Sequence, residues 1–218
     1  MAIATRYVLE EDLVLIPRLC RADGIAVDVG AHFGHYTHHM VRHSRRVHAF
    51  EPLPRFAKFL AAAFGDRVVV EAVALSDTTG ESRLRVPTAN RALATIESTN
   101  TLAKAPTVGR IDDLVVPRRR LDDYGLTDVA FIKIDVEGHE LAVLKGARGT
   151  ITRDRPALLI EIEDRHRPNA IVETVAYLRD LGYDGFFLEG GRLCPIAAFV
   201  AERHQNPAHI SAWGKRGP

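Results

Sequence analysis

At 218 residues, with 46% apolar side chains and a formal net charge of +1, the chain suits one α/β domain with a sizeable core. The near-neutral charge excludes a bulk electrostatic drive toward nucleic acid or an anionic membrane, and no stretch approaches the length of a membrane span. Two isolated cysteines, Cys20 and Cys194, exclude a disulfide framework and a thiolate metal site.

Leu9 to Leu19 spaces its apolar residues for an N-terminal helix covering the core. Ile25 to Val29 predicts a first strand, Gly34 to His43 a helix and Arg46 to Phe50 a second strand that Glu51-Pro52 stops. Leu53 to Phe64 predicts the next helix, and Arg67 to Leu75, rich in β-branched residues, a third strand. Gly80 to Pro87 alternates polar and apolar residues, as an added antiparallel strand does. Thr88 to Pro106 has no period and reads as a long loop, a type that is often functional. Val108 to Val116 reads as an edge strand and the run Arg118 to Arg120 as a solvated loop face. Val129 to Ile134 predicts a fourth parallel strand, Glu140 to Arg148 a helix and Ala157 to Glu163 a fifth strand. Ile171 to Leu181 is an amphipathic helix ended by Gly182, and Phe186 to Leu188 with Leu193 to Val200 form an antiparallel pair. The alternation predicts a doubly wound, mostly parallel sheet with an antiparallel C-terminal edge, its ligand at the carboxyl ends of the strands.

The string VDVGAHFGHYT, Val27 to Thr37, joins a strand to a helix through a glycine turn with an acid, Asp28, at its mouth. Such a turn lets backbone N–H groups approach a ligand. Glu51 follows Gly30 by 21 residues, the offset at which an acid accepts hydrogen bonds from both hydroxyls of a ribose. The dinucleotide fingerprint requires a third glycine that is missing here, and Asp28 would repel a diphosphate. An acid at 28 and another at 51 suit S-adenosyl-L-methionine, which carries an ammonium, a sulfonium and a ribose. A plain strand-to-helix turn with incidental acids is the competing explanation.

A second string, IKIDVEGHE, packs Lys133, Asp135, Glu137, His139 and Glu140 around the end of a buried strand. Helix N-termini favour acids, which accounts for Glu137 and Glu140. Lys133 and Asp135 are not accounted for that way, because a parallel strand is normally apolar throughout and unpaired charge there is costly. These two are candidate functional residues.

VDVGAHFGHYT, AFEP, AVALSD, RRRLDDY, FIKIDVEGHELAVLKGA and ALLIEIE, in this order and spacing, resemble the FkbM-type methyltransferase family, over roughly Gly24 to Glu163. The resemblance implies a class I, Rossmann-like domain over residues 24–218, preceded by a helical segment at 1–23, and with an acceptor-site loop at 88–107 acting as a lid. It implies that S-adenosyl-L-methionine is the methyl donor and that the product is a methylated hydroxyl of a small molecule or a glycan. Asp28, Gly30, Ala31, His32, Gly34, Tyr36 and Thr37 would shape the methionine and ribose pocket, with Glu51 and Pro52 at the ribose. Ser76 and Asp77 would lie near the adenine, and Asp135 would face donor and acceptor. His32 departs from the asparagine more usual in the family.

For catalysis, the base would be His139 or Asp135, with Glu137 as a further candidate and Lys133 holding a neighbouring carboxylate. A Mg²⁺ ion on Asp135 with Glu161 or Glu163 is a secondary alternative. His35 and His39, four residues apart, could share a helix face as zinc ligands do, but read more simply as exposed helix histidines. An NAD-type oxidoreductase and a non-catalytic cofactor-binding protein are the competing functions. The lack of a signal-like N-terminus and the two reduced thiols point to the cytoplasm. The expected partner is a small acceptor, without nucleic acid, and a homo-oligomer stays open.

Overall fold

A computed structural model describes residues 11–102, 109–204 and 211–215. A 3₁₀ turn, Glu11–Leu15, leads into α1 (Ile16–Leu19), β1 (Ile25–Val29), α2 (His35–Met40), β2 (Arg46–Phe50), α3 (Pro54–Phe64) and β3 (Val68–Glu71). There follow β4 (Ala74–Leu75), β5 (Gly80–Pro87), β6 (Ile111–Arg119) and β7 (Val129–Ile134). Then come α4 (Glu140–Gly146), α5 (Arg148–Asp154), β8 (Ala157–Ile160), α6 (Ala170–Asp180), β9 (Tyr183–Glu189), β10 (Arg192–Pro195), α7 (Ala201–His204) and β11 (Ser211–Lys215).

The main sheet has eight strands in the order β10-β9-β11-β8-β7-β1-β2-β3. The block β8-β7-β1-β2-β3 is parallel and the other three strands run antiparallel. The doubly wound, mostly parallel sheet with an antiparallel edge is therefore the fold. Alternate residues of each strand feed two cores. Val27, Val29, Ile132, Ile134, Leu158 and Ile160 pack with Val143, Leu144 and Ile151 of α4 and α5 and Leu178 of α6. Ala26, Val47, Ala49, Phe131 and Leu159 pack on the opposite face with Ile16, Tyr36, Met40 and Leu60. A smaller sheet, β4-β6-β5, stands beside the main one over Leu53 and Phe56.

Several expected elements change. The N-terminal helix reduces to a 3₁₀ turn and a single α-turn that starts at Ile16, with Pro17 in its first turn, and Leu9 and Glu10 lie outside the described residues. Helix α2 ends at Met40 rather than His43. Arg67 to Leu75 is not one strand: after β3 the chain leaves the main sheet and Ala74 and Leu75 pair with Arg118 and Arg119. Strand β6 runs to Arg119, so most of the expected basic loop is ladder paired with Gly80 and Ala74 (Val108 lies outside the described residues). The single helix expected over 140–148 is two, turning at Ala147. The fifth strand stops at Ile160, which leaves Glu161 and Glu163 on the loop beyond its carboxyl end. The chain after Ala201 supplies an inner strand, β11, between β8 and β9. Asn206 and Pro207 lie outside the described residues, as do residues 103–107 of the expected lid.

Candidate functional site

The carboxyl ends of β1, β2 and β7 meet at an open cleft. Its centre is the turn after β1. Gly30 has φ +78°, and a Cβ there would lie 1.9 Å from the Asp135 carbonyl oxygen, so only glycine lets the β1 and β7 loops close on each other. Gly34, at φ +79°, does not reach the cleft; a Cβ would strike Leu60 and Phe64 of α3, so its role is helix packing. Three of the turn N–H groups expected to face the ligand are committed within the protein. Gly30 N and Ala31 N donate to the Phe50 carbonyl, and His32 N donates to Glu51 Oε2 at 2.8 Å. His32 has φ 48°, a left-handed conformation that histidine and asparagine tolerate better than most residues, which explains how either fills this position. Its ring stacks edge-on against Phe33 and Phe56, and burial lowers its pKa.

Glu51 is buried at the end of β2 and lines the cleft with Pro52. Its carboxylate accepts from His32 N and from Leu53 N, each at 2.8 Å. Burial nevertheless pushes its pKa up to about 7. Each oxygen keeps a second lone pair, so the carboxylate can still accept ribose hydroxyls.

Beneath the turn lies a layer of charge. Asp28 and Lys133 are cross-strand partners on the same face of the sheet. Asp28 is fully buried and does not line the cleft, contrary to its expected place against the ligand. Thr37, also buried away from the cleft, donates to Asp28 Oδ2 at 2.5 Å. Burial raises the Asp28 pKa, with the Lys133 charge opposing. Lys133 Nζ bonds Asp135 Oδ2 at 3.0 Å and stands 4.5 Å over the Tyr36 ring. Burial works against its ammonium, but Asp135, Asp28 and Glu161 outweigh that and its pKa is raised. Tyr36 lines the cleft and donates to Asp12 Oδ2 at 2.7 Å, tying the N-terminal turn to the site. Asp135 lines the cleft and is the partly exposed member of the layer. Its charge, then burial, raises the pKa of Glu161. Glu163 pairs instead with Arg165.

His139 lines the cleft with both ring nitrogens engaged. Nδ1 lies 3.1 Å from Glu97 Oε2 and Nε2 lies 2.9 Å from Ser76 Oγ. The His139 bond, ahead of opposing burial, holds the Glu97 pKa down at about 2. Ser76 and Asp77 do not line the cleft as expected: Ser76 is buried against His139, Asp77 is exposed, and Val73, Ala74 and Leu75 form the apolar wall there. The step from β3 out to β4 causes this shift. Glu137 lines the cleft in a left-handed conformation, φ 55°. Its Oε2 lies 2.9 Å from His166 Nε2, without the alignment of a hydrogen bond. Glu140 turns back to accept from Gly138 N at 2.8 Å, a helix-start role, and burial lifts its pKa to about 7. The described part of the expected lid is pinned: Thr95 Oγ1 and Asn100 Nδ2 donate to the Glu137 carbonyl at 2.9 and 2.8 Å. Glu97, Asp12 and His166 were not foreseen, because each is brought in from a distant segment with no local pattern.

Among the described residues no three His, Cys, Asp or Glu side chains are grouped so as to hold a metal. His35 and His39 stand with ring centroids 5.9 Å apart. Cys20 and Cys194 are free. No helix among the described residues is long and apolar enough to cross a membrane.

The cleft fits S-adenosyl-L-methionine by the chemistry of its lining: a buried acceptor carboxylate at Glu51, an apolar slot at Val73–Leu75, and Asp135 for positive charge. Residues 28–184 match the family model of the methyltransferase FkbM domain. No curated protein sequence matches the chain. A methyltransferase FkbM from Methylobacillus flagellatus has a similar structure, with TM-score 0.58 and 21% identity, over 88% of this chain and 44% of that one. This chain thus spans less than half of that protein. An rRNA methylase from Streptococcus thermophilus aligns with TM-score 0.52 and 12% identity, over 99% of this chain and all of its own. A proposed methyltransferase from Streptococcus mutans, solved in complex with SAH, aligns with TM-score 0.51 and 12% identity over 97% and 98%. At these identities the likeness is one of fold.

Proposed function

The chain belongs to the FkbM methyltransferase family, and from that footing we propose that it transfers the methyl group of S-adenosyl-L-methionine to a hydroxyl of a small molecule or glycan. The observation that carries the reading is the meeting of two dissimilar carboxylates in one cleft. Glu51 is buried and bound by two backbone N–H groups, as suits a fixed acceptor for ribose hydroxyls. Asp135 is partly exposed and held by Lys133, as suits a group that meets the reacting atoms. When bound, the donor supplies a methyl group on a positively charged sulfur.

The protein's own work is orientation and proton removal. Asp135 Oδ2 is fixed by Lys133 while the carboxylate retains free lone pairs, so it can take the acceptor's hydroxyl proton. Both nitrogens of His139 already have partners, which favours Asp135 over His139 as the base. The apolar slot of Val73, Ala74 and Leu75 suits an adenine, and Gly30, Ala31, His32 and Tyr36 line the part of the cleft between Glu51 and Asp135. With the N–H groups of Gly30, Ala31 and His32 already donating to Phe50 and Glu51, the turn has fewer donors to offer a diphosphate, which weighs against a dinucleotide. The near-neutral charge supports a small acceptor over nucleic acid, and the free cysteines support a cytoplasmic site of action.

Titration calorimetry with SAH is the first test, and a folded protein that does not bind it ends this reading. In a turnover assay, Asp135→Asn should lose about 10²- to 10⁴-fold in rate with SAH affinity kept within a few fold. His139→Ala should lose less, and chelation of metals should leave the rate unchanged. Wild-type turnover in both variants would remove the assigned base.

A further inference from the structure

The roof of the cleft differs in kind from its floor. The floor carries acids: Glu51, Asp135 and Glu137. The roof, from β5 and the following loop, is apolar at Leu84, Ala92, Ala94 and Ile96. Its one buried hydroxyl, Thr95 Oγ1, already donates to the Glu137 carbonyl and accepts from Glu97 N. A neutral sugar needs a comb of side-chain donors and acceptors for its hydroxyls, and this roof does not supply one.

Arg91 breaks the pattern. It lines the same roof, is exposed, and among the described residues its guanidinium makes no hydrogen bond or ion pair. Its neighbours are committed: Arg85 holds the Glu97 and Asn100 carbonyls, Arg83 pairs with Asp113, and Arg110 pairs with Asp112. The cleft's other strong cation, Lys133, is buried and neutralised by Asp135. An anion entering the cleft meets acids on the floor and, among the described residues, an uncommitted guanidinium at the roof. A guanidinium offers a planar fork that matches a carboxylate or phosphate.

We infer that the acceptor is an amphipathic hydroxy acid or hydroxy phosphate. Its oxyanion rests on Arg91, its apolar body lies along Leu84, Ala94 and Ile96, and its hydroxyl extends down toward Asp135. This rests on the methyltransferase reading and narrows its substrate class.

The test uses calorimetry on the full chain saturated with SAH. The probes are 4-hydroxybenzoate with 4-hydroxybenzamide, 3-hydroxydecanoate with its amide, and methyl glucoside. At least one acid should bind wild type about tenfold or more tighter than its amide, and tighter than the glucoside, in a salt-dependent way. Arg91→Gln should erase that gap, and Arg91→Lys should restore part of it. No acid–amide gap in wild type, a gap that survives in Arg91→Gln, or tightest binding by methyl glucoside each overturns the inference. SAH and 5′-methylthioadenosine, which lacks the amino-acid arm, are titrated into Arg91→Gln without acceptor. If SAH weakens tenfold while methylthioadenosine does not, the oxyanion is the cofactor's own carboxylate and the acceptor assignment falls. Failure of wild type to bind SAH at all is a separate result, directed at the methyltransferase reading itself.

Discussion

Glu51→Gln isolates the cost and the use of one buried charge. The folded-state pKa of about 7, against an ordinary glutamate value of 4.5, means that the native protein binds this proton more tightly than the unfolded chain does. Stability from this group is therefore greatest below about pH 4.5, falls as pH rises toward 7, and is level above it. The difference amounts to about 3 kcal/mol. Glutamine removes that penalty at pH 8, but its amide oxygen serves only one of the two N–H donors, from His32 and Leu53, leaving the other unmet at about 1–3 kcal/mol. The two effects nearly cancel, so the variant should unfold within about 1 kcal/mol of wild type at pH 8. Ligand binding should not be spared. Two charge-assisted hydrogen bonds to a ribose are at stake, and their weakening should raise the Kd for SAH by about 100-fold. In wild type the same Kd should rise by up to about tenfold per unit as pH falls below 7, because the ionised carboxylate is the competent acceptor. The glutamine variant should lose that slope. Calorimetry from pH 5.5 to 8, with urea melts as the control for folding, decides the matter. A flat wild-type profile, or unimpaired SAH binding by the variant, refutes the role given to Glu51.

Lys133→Met leaves Asp28, Asp135 and Glu161 without their shared cation and should cost about 3–5 kcal/mol in urea unfolding at pH 8; adding Asp28→Asn should recover part of it. Gly30→Ala places a methyl group where the Asp135 carbonyl sits, on a backbone with φ +78°, and should destabilise by about 4 kcal/mol or more, read as loss of soluble, SAH-binding protein. Glu97→Gln removes the charge facing His139. The Glu97 side chain is only 15% exposed, but glutamine keeps a hydrogen-bonding group at the same place, so the stability cost should be about 1 kcal/mol, while hydrogen exchange over residues 91–102 should speed up. Because the Glu97 pKa is depressed to about 2, that contribution is present above pH 4.5 and fades as pH falls toward 2, so wild-type exchange in this segment should approach the variant's in acid.

The parallel block was legible because each strand is a short apolar run set between helical periods, and Ile25–Val29, Arg46–Phe50 and Val129–Ile134 stand where the pattern put them. The departures have local causes. RVVVEAVAL reads as one strand, but strand propensity carries no information on which sheet a residue joins, and Ala74–Leu75 pairs with β6. Nothing in SAWGK marks it as an inner strand, since its antiparallel partners lie elsewhere in the sequence. At the site, the offset of Glu51 from the glycine turn located a cleft-lining carboxylate, and IKIDVEGHE located Lys133, Asp135, Glu137 and His139. Asp28 shows the limit of such reading. A strand alternates its faces, and residue 28 shares the face of Ala26, so it meets Lys133 beneath the turn instead of the cleft above it. Glu97 and Arg91 come from a loop without a period, and only tertiary contacts give them meaning.

Strand β11 has a consequence for synthesis. It is hydrogen-bonded to β8 on one side and β9 on the other, although it follows both in the sequence. On a ribosome, a nascent chain that has emerged only through His204 would therefore hold two incomplete edges with no partner between them. Assembly of the sheet becomes a late event, completed by a wedge delivered after everything it joins, and stalling just short of it would expose sticky backbone to neighbouring chains.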